Sequence, residues 1–187
     1  MLAQLPNLIC IVRILMTVPV VQALTGGEFA LAFWICVAAG LSDMLDGWLA
    51  KRFHWTSEFG KNLDPVADKL FIVTVFVTMI FIGMVPLWLG VIVILRDVWI
   101  GVGAWIYKVL YGPVEGHPTG VSKINTAVQI AYAAALLAAA AAPWFPQWLA
   151  PVLAWATLVT TVVSGVHYTG IYIRKAAAVS RARRGQA

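Results

Sequence analysis

Apolar residues run almost unbroken through six stretches of this chain: Leu8–Leu24, Phe29–Ala50, Leu63–Met84, Pro86–Leu110, Val121–Ala142 and Trp148–Ile173. A helix needs about 20 apolar residues to cross the hydrocarbon of a bilayer, and each stretch comes close to that length. The separating segments TGGE, MVP, YGPVEGHPTG and APWFPQ carry the Gly and Pro punctuation that ends helices. No stretch alternates polar with apolar residues, and all are too long and uniform for barrel strands, so helices are the spanning element left. Only 11% of the 187 residues are charged, against about 25% in a soluble domain. With 61% hydrophobic residues and a mean hydropathy of +0.87, a water-soluble fold would expose much of its apolar surface. The expected fold is an all-α integral membrane protein of six transmembrane helices, forming a single domain over residues 1–187.

Cys10 and Cys36 both sit inside apolar runs, which argues against a disulfide framework. No Lys or Arg precedes the first run and no convincing small-residue cleavage site follows it, so that run reads as a retained helix. The basic residues set the orientation. Lys51, Arg52, Lys61, Lys108 and Lys123 fall in or beside the connections after the second and fourth runs, and Arg174, Lys175, Arg181, Arg183 and Arg184 follow the sixth. The connections after the first, third and fifth runs hold no Lys or Arg. Positive charge stays on the cytoplasmic side, so both termini are expected there. Trp88, Trp144 and Trp148 near the opposite ends suit an interfacial aromatic belt. The net charge of +5 then collects on one face, where it favours anionic headgroups over nucleic acid as a partner.

Four aspartates interrupt this pattern. Asp43 and Asp46 are three apart near the end of the second run, and Asp64 and Asp68 are four apart at the start of the third. On helices both spacings place a pair on one face, and the short connection between the runs lets the two pairs meet. Four converging carboxylates repel one another unless cations neutralise them, and ionisable groups within a span are costly enough to be functional candidates. An all-oxygen donor set suits a hard divalent ion such as Mg²⁺ or Mn²⁺. The plainer reading makes Asp64 a helix N-cap with Pro65 at the first helical position, which accounts for one aspartate and leaves three. Gly47 and Ala50 beside the first pair, and Gly60 before the second, leave room for a ligand to approach backbone.

Written out, the segment is DMLDGWLAK, eight residues, then GKNLDPVAD. It resembles the signature of the CDP-alcohol phosphatidyltransferase family. Lys51 stands where that family usually has arginine, keeping the charge but losing the bidentate fork. The resemblance implies six transmembrane helices, a homodimer, and two divalent ions (Mg²⁺ or Mn²⁺) in a cavity open to the cytoplasm. Asp43, Asp46, Asp64 and Asp68 would hold the metals, and Asp68 would also serve as general base. Gly47, Ala50, Lys51, Ser57 and Gly60 would line the nucleotide site. The implied reaction moves a phosphatidyl group from CDP-diacylglycerol to an alcohol and releases CMP.

Other segments bear on the acceptor. QLPNLICIVRIL is similar to the openings of enzymes making phosphatidylglycerol phosphate and of those making cardiolipin. LRDVWI, PTGVSKINTAVQ and SGVHYTGIYIRK resemble the cardiolipin synthases of the CDP-alcohol type, which implies phosphatidylglycerol as acceptor and a bacterial inner membrane as location. Glycerol 3-phosphate, the acceptor of phosphatidylglycerol-phosphate synthases, is the alternative. Arg96, about halfway along the fourth run, is either a phosphate clamp or the partner of Asp97 or of one aspartate of the cluster, since both uses share one geometry. Lys123, flanked by Ser122 and Asn125, is a second candidate for the acceptor phosphate. Arg13 is a third, or it snorkels to the surface. His54, His117 and His167 have no metal-ligand spacing. A reading of another class, a divalent-cation transporter, expects its site near the bilayer midplane, whereas these aspartates gather at one face.

Overall fold

A computed structural model describes the backbone of residues 5–53, 58–111 and 119–184, and the side chains of residues 12, 14–42, 69–110 and 119–175. Six α-helices and no strand occur among the described residues: α1 (Leu5–Thr25), α2 (Phe29–Phe53), α3 (Glu58–Phe81), α4 (Leu87–Tyr111), α5 (Gly120–Ala141) and α6 (Leu149–Arg184). The chain divides into two compact units, residues 1–86 with 133–147, and residues 87–132 with 148–187.

In the first unit α1 packs against both α2 and α3. Phe71, Val75, Phe76 and Met79 recur along α3 at near-helical spacing and are buried, as are Val20, Ala23 and Leu24 of α1. Among the described side chains of α2 the buried ones are Ala32 and Ala39; small side chains let helices approach closely where lipid gives no hydrophobic drive. Two helices of this unit stop in the same way. After α1, Gly27 (φ 78°) donates to the Leu24 carbonyl at 3.2 Å and Glu28 to that of Ala23 at 2.8 Å. After α3, Gly83 (φ 78°) donates to Ile80 at 3.0 Å and Met84 to Met79 at 2.9 Å. Both are Schellman closures, which need a left-handed residue just past the helix.

These closures lead to a prediction of sign. Gly83→Ala puts a Cβ into open space but holds an L-residue at positive φ, and should cost about 1–2 kcal/mol. Gly101→Ala, also facing open space but inside α4, should stabilise by up to about 1 kcal/mol. Thermal unfolding of the two variants in detergent checks the opposite shifts.

In the second unit α4 packs against α6. Thr119 caps α5, its hydroxyl accepting from the Ser122 N–H at 3.3 Å, as an N-cap residue does. Asn125 of α5 is fully buried, and its side-chain oxygen accepts from Thr160 at 2.9 Å and Thr161 at 3.0 Å. Leu87–Leu110, Gly120–Ala141 and Leu149–Lys175 are long and apolar enough to cross a membrane. The apolar helices of the first unit are shorter over the described residues, at Ile14–Thr25, Phe29–Ser42 and Lys69–Phe81. Trp34, Phe81, Trp105, Trp155 and Val166 are among many large apolar side chains left exposed, a surface suited to lipid and costly in water.

Two boundaries differ from the sequence reading by five residues or more. α3 begins at Glu58, so Asp64 and Pro65 lie inside the helix and the N-cap reading of Asp64 is overturned. The polar stretch EFGKN continues the helix ahead of the apolar run, because backbone hydrogen bonding needs no apolar side chain. α6 likewise continues past Ile173 through the basic segment to Arg184.

Candidate active site

Asp43 and Asp46 lie in α2, and Asp64 and Asp68 in α3. Both pairs sit on unbroken helical backbone, so their three- and four-residue spacings are helical spacings in fact. The backbone of Gly47, Ala50, Lys51 and Gly60 is helical, but their surroundings, the side chains of all four aspartates and of Arg13, and the whole of Ser57 lie outside what the structure describes. As a donor set, four carboxylates with no nitrogen or sulfur fit a hard divalent cation. No group of three or more His, Cys, Asp or Glu that could hold a metal occurs among the described residues.

The second unit holds a polar cluster around Arg96. This side chain leaves α4 with only 9% of its surface exposed. Its Nη1 donates to Asp97 Oδ1 at 2.8 Å, and its Nη2 donates to Ser122 Oγ at 2.9 Å and also to the Ser164 hydroxyl. Nε is buried with no partner. The guanidinium carbon lies 6.0 Å from the centre of the Tyr168 ring, within cation–π range. The Tyr168 hydroxyl in turn accepts from the Thr119 N–H at 3.3 Å, which ties the α5 cap to α6. Gly165 lies beside the arginine stem, where a Cβ would make an ordinary contact of 3.8 Å with Arg96 Cγ.

Of the two readings of Arg96, the partnership with Asp97 is therefore present, and the guanidinium is additionally fixed by two serines. Arg96 lies midway along α4 yet level with the first turn of α5, where a helix N-terminus favours negative charge. Lys123, one residue past Ser122, is exposed. Sequence reasoning missed Ser164 and Tyr168 as members of this cluster. Their signal was the SGVHY stretch, legible as a resemblance but silent about its contact across the fold. Deeper along α5 and α6, Asn125 Nδ2, Gln129 Nε2 and Thr157 Oγ1 are also buried without partners.

Comparison with known proteins bears on the chemistry. A "Probable cardiolipin synthase (CMP-forming)" of Drosophila melanogaster is 33% identical over 143 residues, covering 68% of this chain and 44% of that protein. The "Cardiolipin synthase (CMP-forming)" of Homo sapiens is 29% identical over 180 residues, covering 88% of this chain and 60% of that protein. The chloroplastic "CDP-diacylglycerol--glycerol-3-phosphate 3-phosphatidyltransferase 1" of Oryza sativa subsp. japonica is 34% identical over 192 residues, covering 92% and 57%. The chain thus spans about half the length of the relatives it matches. The family profile described as CDP-alcohol phosphatidyltransferase matches residues 3–163, a segment that contains all four aspartates, Arg96 and Lys123. The chain belongs to the CDP-alcohol phosphatidyltransferase family.

Proposed function

We propose that this chain transfers the phosphatidyl group of CDP-diacylglycerol to a hydroxyl of phosphatidylglycerol, giving cardiolipin and CMP. The observation that carries the choice of acceptor is the Arg96–Asp97 pair at 2.8 Å. The carboxylate balances the guanidinium, whose Nε is buried without a partner. Such a site suits the single charge of a phosphodiester better than the double charge of a free phosphomonoester, which needs cations left uncompensated. The names of the Drosophila and human relatives support the same acceptor. A second reading, with glycerol 3-phosphate as acceptor, is favoured by the name of the rice relative.

In the proposed reaction Asp68 takes the proton of the acceptor hydroxyl, whose oxygen attacks the phosphatidyl phosphorus. The anhydride bond to CMP breaks, CMP leaves, and the proton passes from Asp68 to solvent. Asp43, Asp46, Asp64 and Asp68 would hold two Mg²⁺ or Mn²⁺ ions. When bound, these supply charge neutralisation for the diphosphate and the leaving CMP. Gly47, Ala50, Lys51, Ser57 and Gly60 would line the nucleotide site, and Arg96, Lys123 and Arg13 are the candidate cations for the acceptor phosphate. The protein would act as a homodimer in a membrane it crosses six times, with both termini and the active site on the cytoplasmic face. The distribution of Lys and Arg among its connections supports that orientation.

The test is turnover of labelled CDP-diacylglycerol by detergent-purified protein with Mg²⁺, given phosphatidylglycerol or glycerol 3-phosphate, with and without EDTA. The expected result is CMP and cardiolipin from phosphatidylglycerol alone, abolished by EDTA. Product from glycerol 3-phosphate alone overturns the acceptor, and turnover unaffected by EDTA overturns the metal assignment.

A further inference from the structure

From Thr119 into α5, polar residues recur at steps of three and four: Thr119, Ser122, Asn125 and Gln129. Along α6 the same steps run in reverse through Tyr168, Ser164, Thr161 and Thr157. Hydrogen bonds join the two series rung by rung. The Thr119 N–H donates to the Tyr168 hydroxyl at 3.3 Å. Arg96 Nη2 donates to Ser122 Oγ at 2.9 Å and to the Ser164 hydroxyl. Asn125 Oδ1 accepts from Thr160 at 2.9 Å and from Thr161 at 3.0 Å. The two helices therefore run antiparallel here, and the next turn brings Gln129 level with Thr157. That rung is unbonded: Gln129 Nε2 and Thr157 Oγ1 are buried without partners, and so is Asn125 Nδ2. Turning the Asn125 amide over exchanges which end faces the threonines and leaves the other end unpaired either way.

Buried polar groups without partners cost stability, so stability does not explain this ladder. Register does. A slip of α5 by one turn exchanges alanine for alanine at Ala127, Ala131, Ala135 and Ala139, so that row is blind to the shift. Asn125 is not blind to it. The α6 pairs one turn to either side of Thr160–Thr161 are Ala156–Thr157 and Ser164–Gly165, which offer one hydroxyl each. Only the observed register gives the buried amide two. A single buried asparagine fixes the register of paired helices in this way, at a cost in stability.

We propose that Asn125 is a positioning residue: its bonds to Thr160 and Thr161 lock the register of α5 on α6, and that register holds Ser122 and Ser164 together on Arg96. A slip of one turn carries Ser122 about 5.4 Å along α6 and leaves the guanidinium one serine in place of two. The lock stands on the geometry of α5 and α6; its consequence for turnover rests on the proposed role of Arg96 toward the acceptor phosphate.

The test is the distance between nitroxide labels on Ile130→Cys and Val166→Cys, both at exposed positions. It is measured by double electron–electron resonance on the full chain in vesicles, with Cys10 and Cys36 replaced by alanine. In this register the labels are offset by roughly 15 Å along the helices, so a slip of one turn changes their separation by roughly 3–5 Å. One narrow distance is expected while Asn125 is present. Asn125→Leu should add a second, displaced population with a thermal midpoint unchanged or higher, because the unpaired end of the amide is removed with it. Thr160→Val with Thr161→Val opens the lock from the other side and should give the same second distance. If Asn125→Leu does not fold, the threonine variant alone decides. A single unshifted distance, with or without a lower midpoint, is the signature of ordinary stabilising hydrogen bonds and overturns the lock. In the shifted variants the KM for phosphatidylglycerol should rise about tenfold or more, while that for CDP-diacylglycerol holds. A shifted distance with both KM values unchanged overturns the positioning role. Because the distances need no turnover, they decide the lock whether or not the cardiolipin reaction holds.

Discussion

Asp68→Asn should leave a folded, helical protein whose turnover is lower by about 10²–10⁴-fold, the usual contribution of a positioned general base. The substitution is nearly isosteric and falls on unbroken α3 backbone, so loss of fold is not the expected cause. It removes two things at once, a proton acceptor and one negative charge of the donor set, and these separate by titration. A lost metal contact weakens affinity, so added Mg²⁺ would restore rate; a lost base would leave the rate low at saturating Mg²⁺. Asp43→Asn, with no proposed part in proton transfer, should recover with added Mg²⁺ where Asp68→Asn does not. The measurement is kcat against Mg²⁺ concentration for both variants, with circular dichroism as the control of fold. Near-normal turnover by Asp68→Asn would remove this residue from the role of base, and recovery with Mg²⁺ would reduce it to a ligand.

The helical placement of the aspartates was legible because its message is local. Spacings of three and four residues translate directly into a helix face, and charge inside an apolar run is a costly exception that needs a reason. Helix number was legible for a similar reason, since the Gly and Pro breaks recur at TGGE and MVP, and the structure closes both helices there with glycine at positive φ. The start of α3 was not legible. A hydropathy reading begins at Leu63, while the helix begins at Glu58, because hydropathy marks where lipid starts and hydrogen bonding marks where helix starts. The Arg96 cluster was half legible. Asp97 is its neighbour in sequence, whereas Ser164 is brought to it only by the packing of α6 on α4, and no spacing within one helix encodes that contact. The C-terminal basic segment illustrates the same distinction, reading as a tail by composition and lying on α6 in the structure.

Arg96 should separate acceptor binding from stability, because its geometry makes both claims testable on one side chain. Removing Asp97 while keeping Arg96 leaves a guanidinium that is 9% exposed with two neutral hydroxyls as hydrogen-bonding partners. Breaking a buried pair from one side costs about 3–5 kcal/mol, and the 25% exposure of Asp97 places the expected loss at the lower end. Asp97→Leu should therefore lower the thermal midpoint clearly. Arg96→Leu with Asp97→Leu should recover part of that loss, because two apolar side chains replace an ion pair in apolar surroundings. Arg96→Lys tests function. Lysine keeps the charge but lacks the planar fork that reaches Asp97 and the two serines together. If Arg96 also holds the acceptor phosphate, the loss of one charged hydrogen bond, about 1.5–3 kcal/mol, should raise the KM for phosphatidylglycerol by about 10–100-fold. The KM for CDP-diacylglycerol should stay the same. A purely structural Arg96 predicts the other pattern: a lower midpoint with both KM values unchanged, which would withdraw it from the acceptor site and leave Lys123 and Arg13 as the cations proposed there.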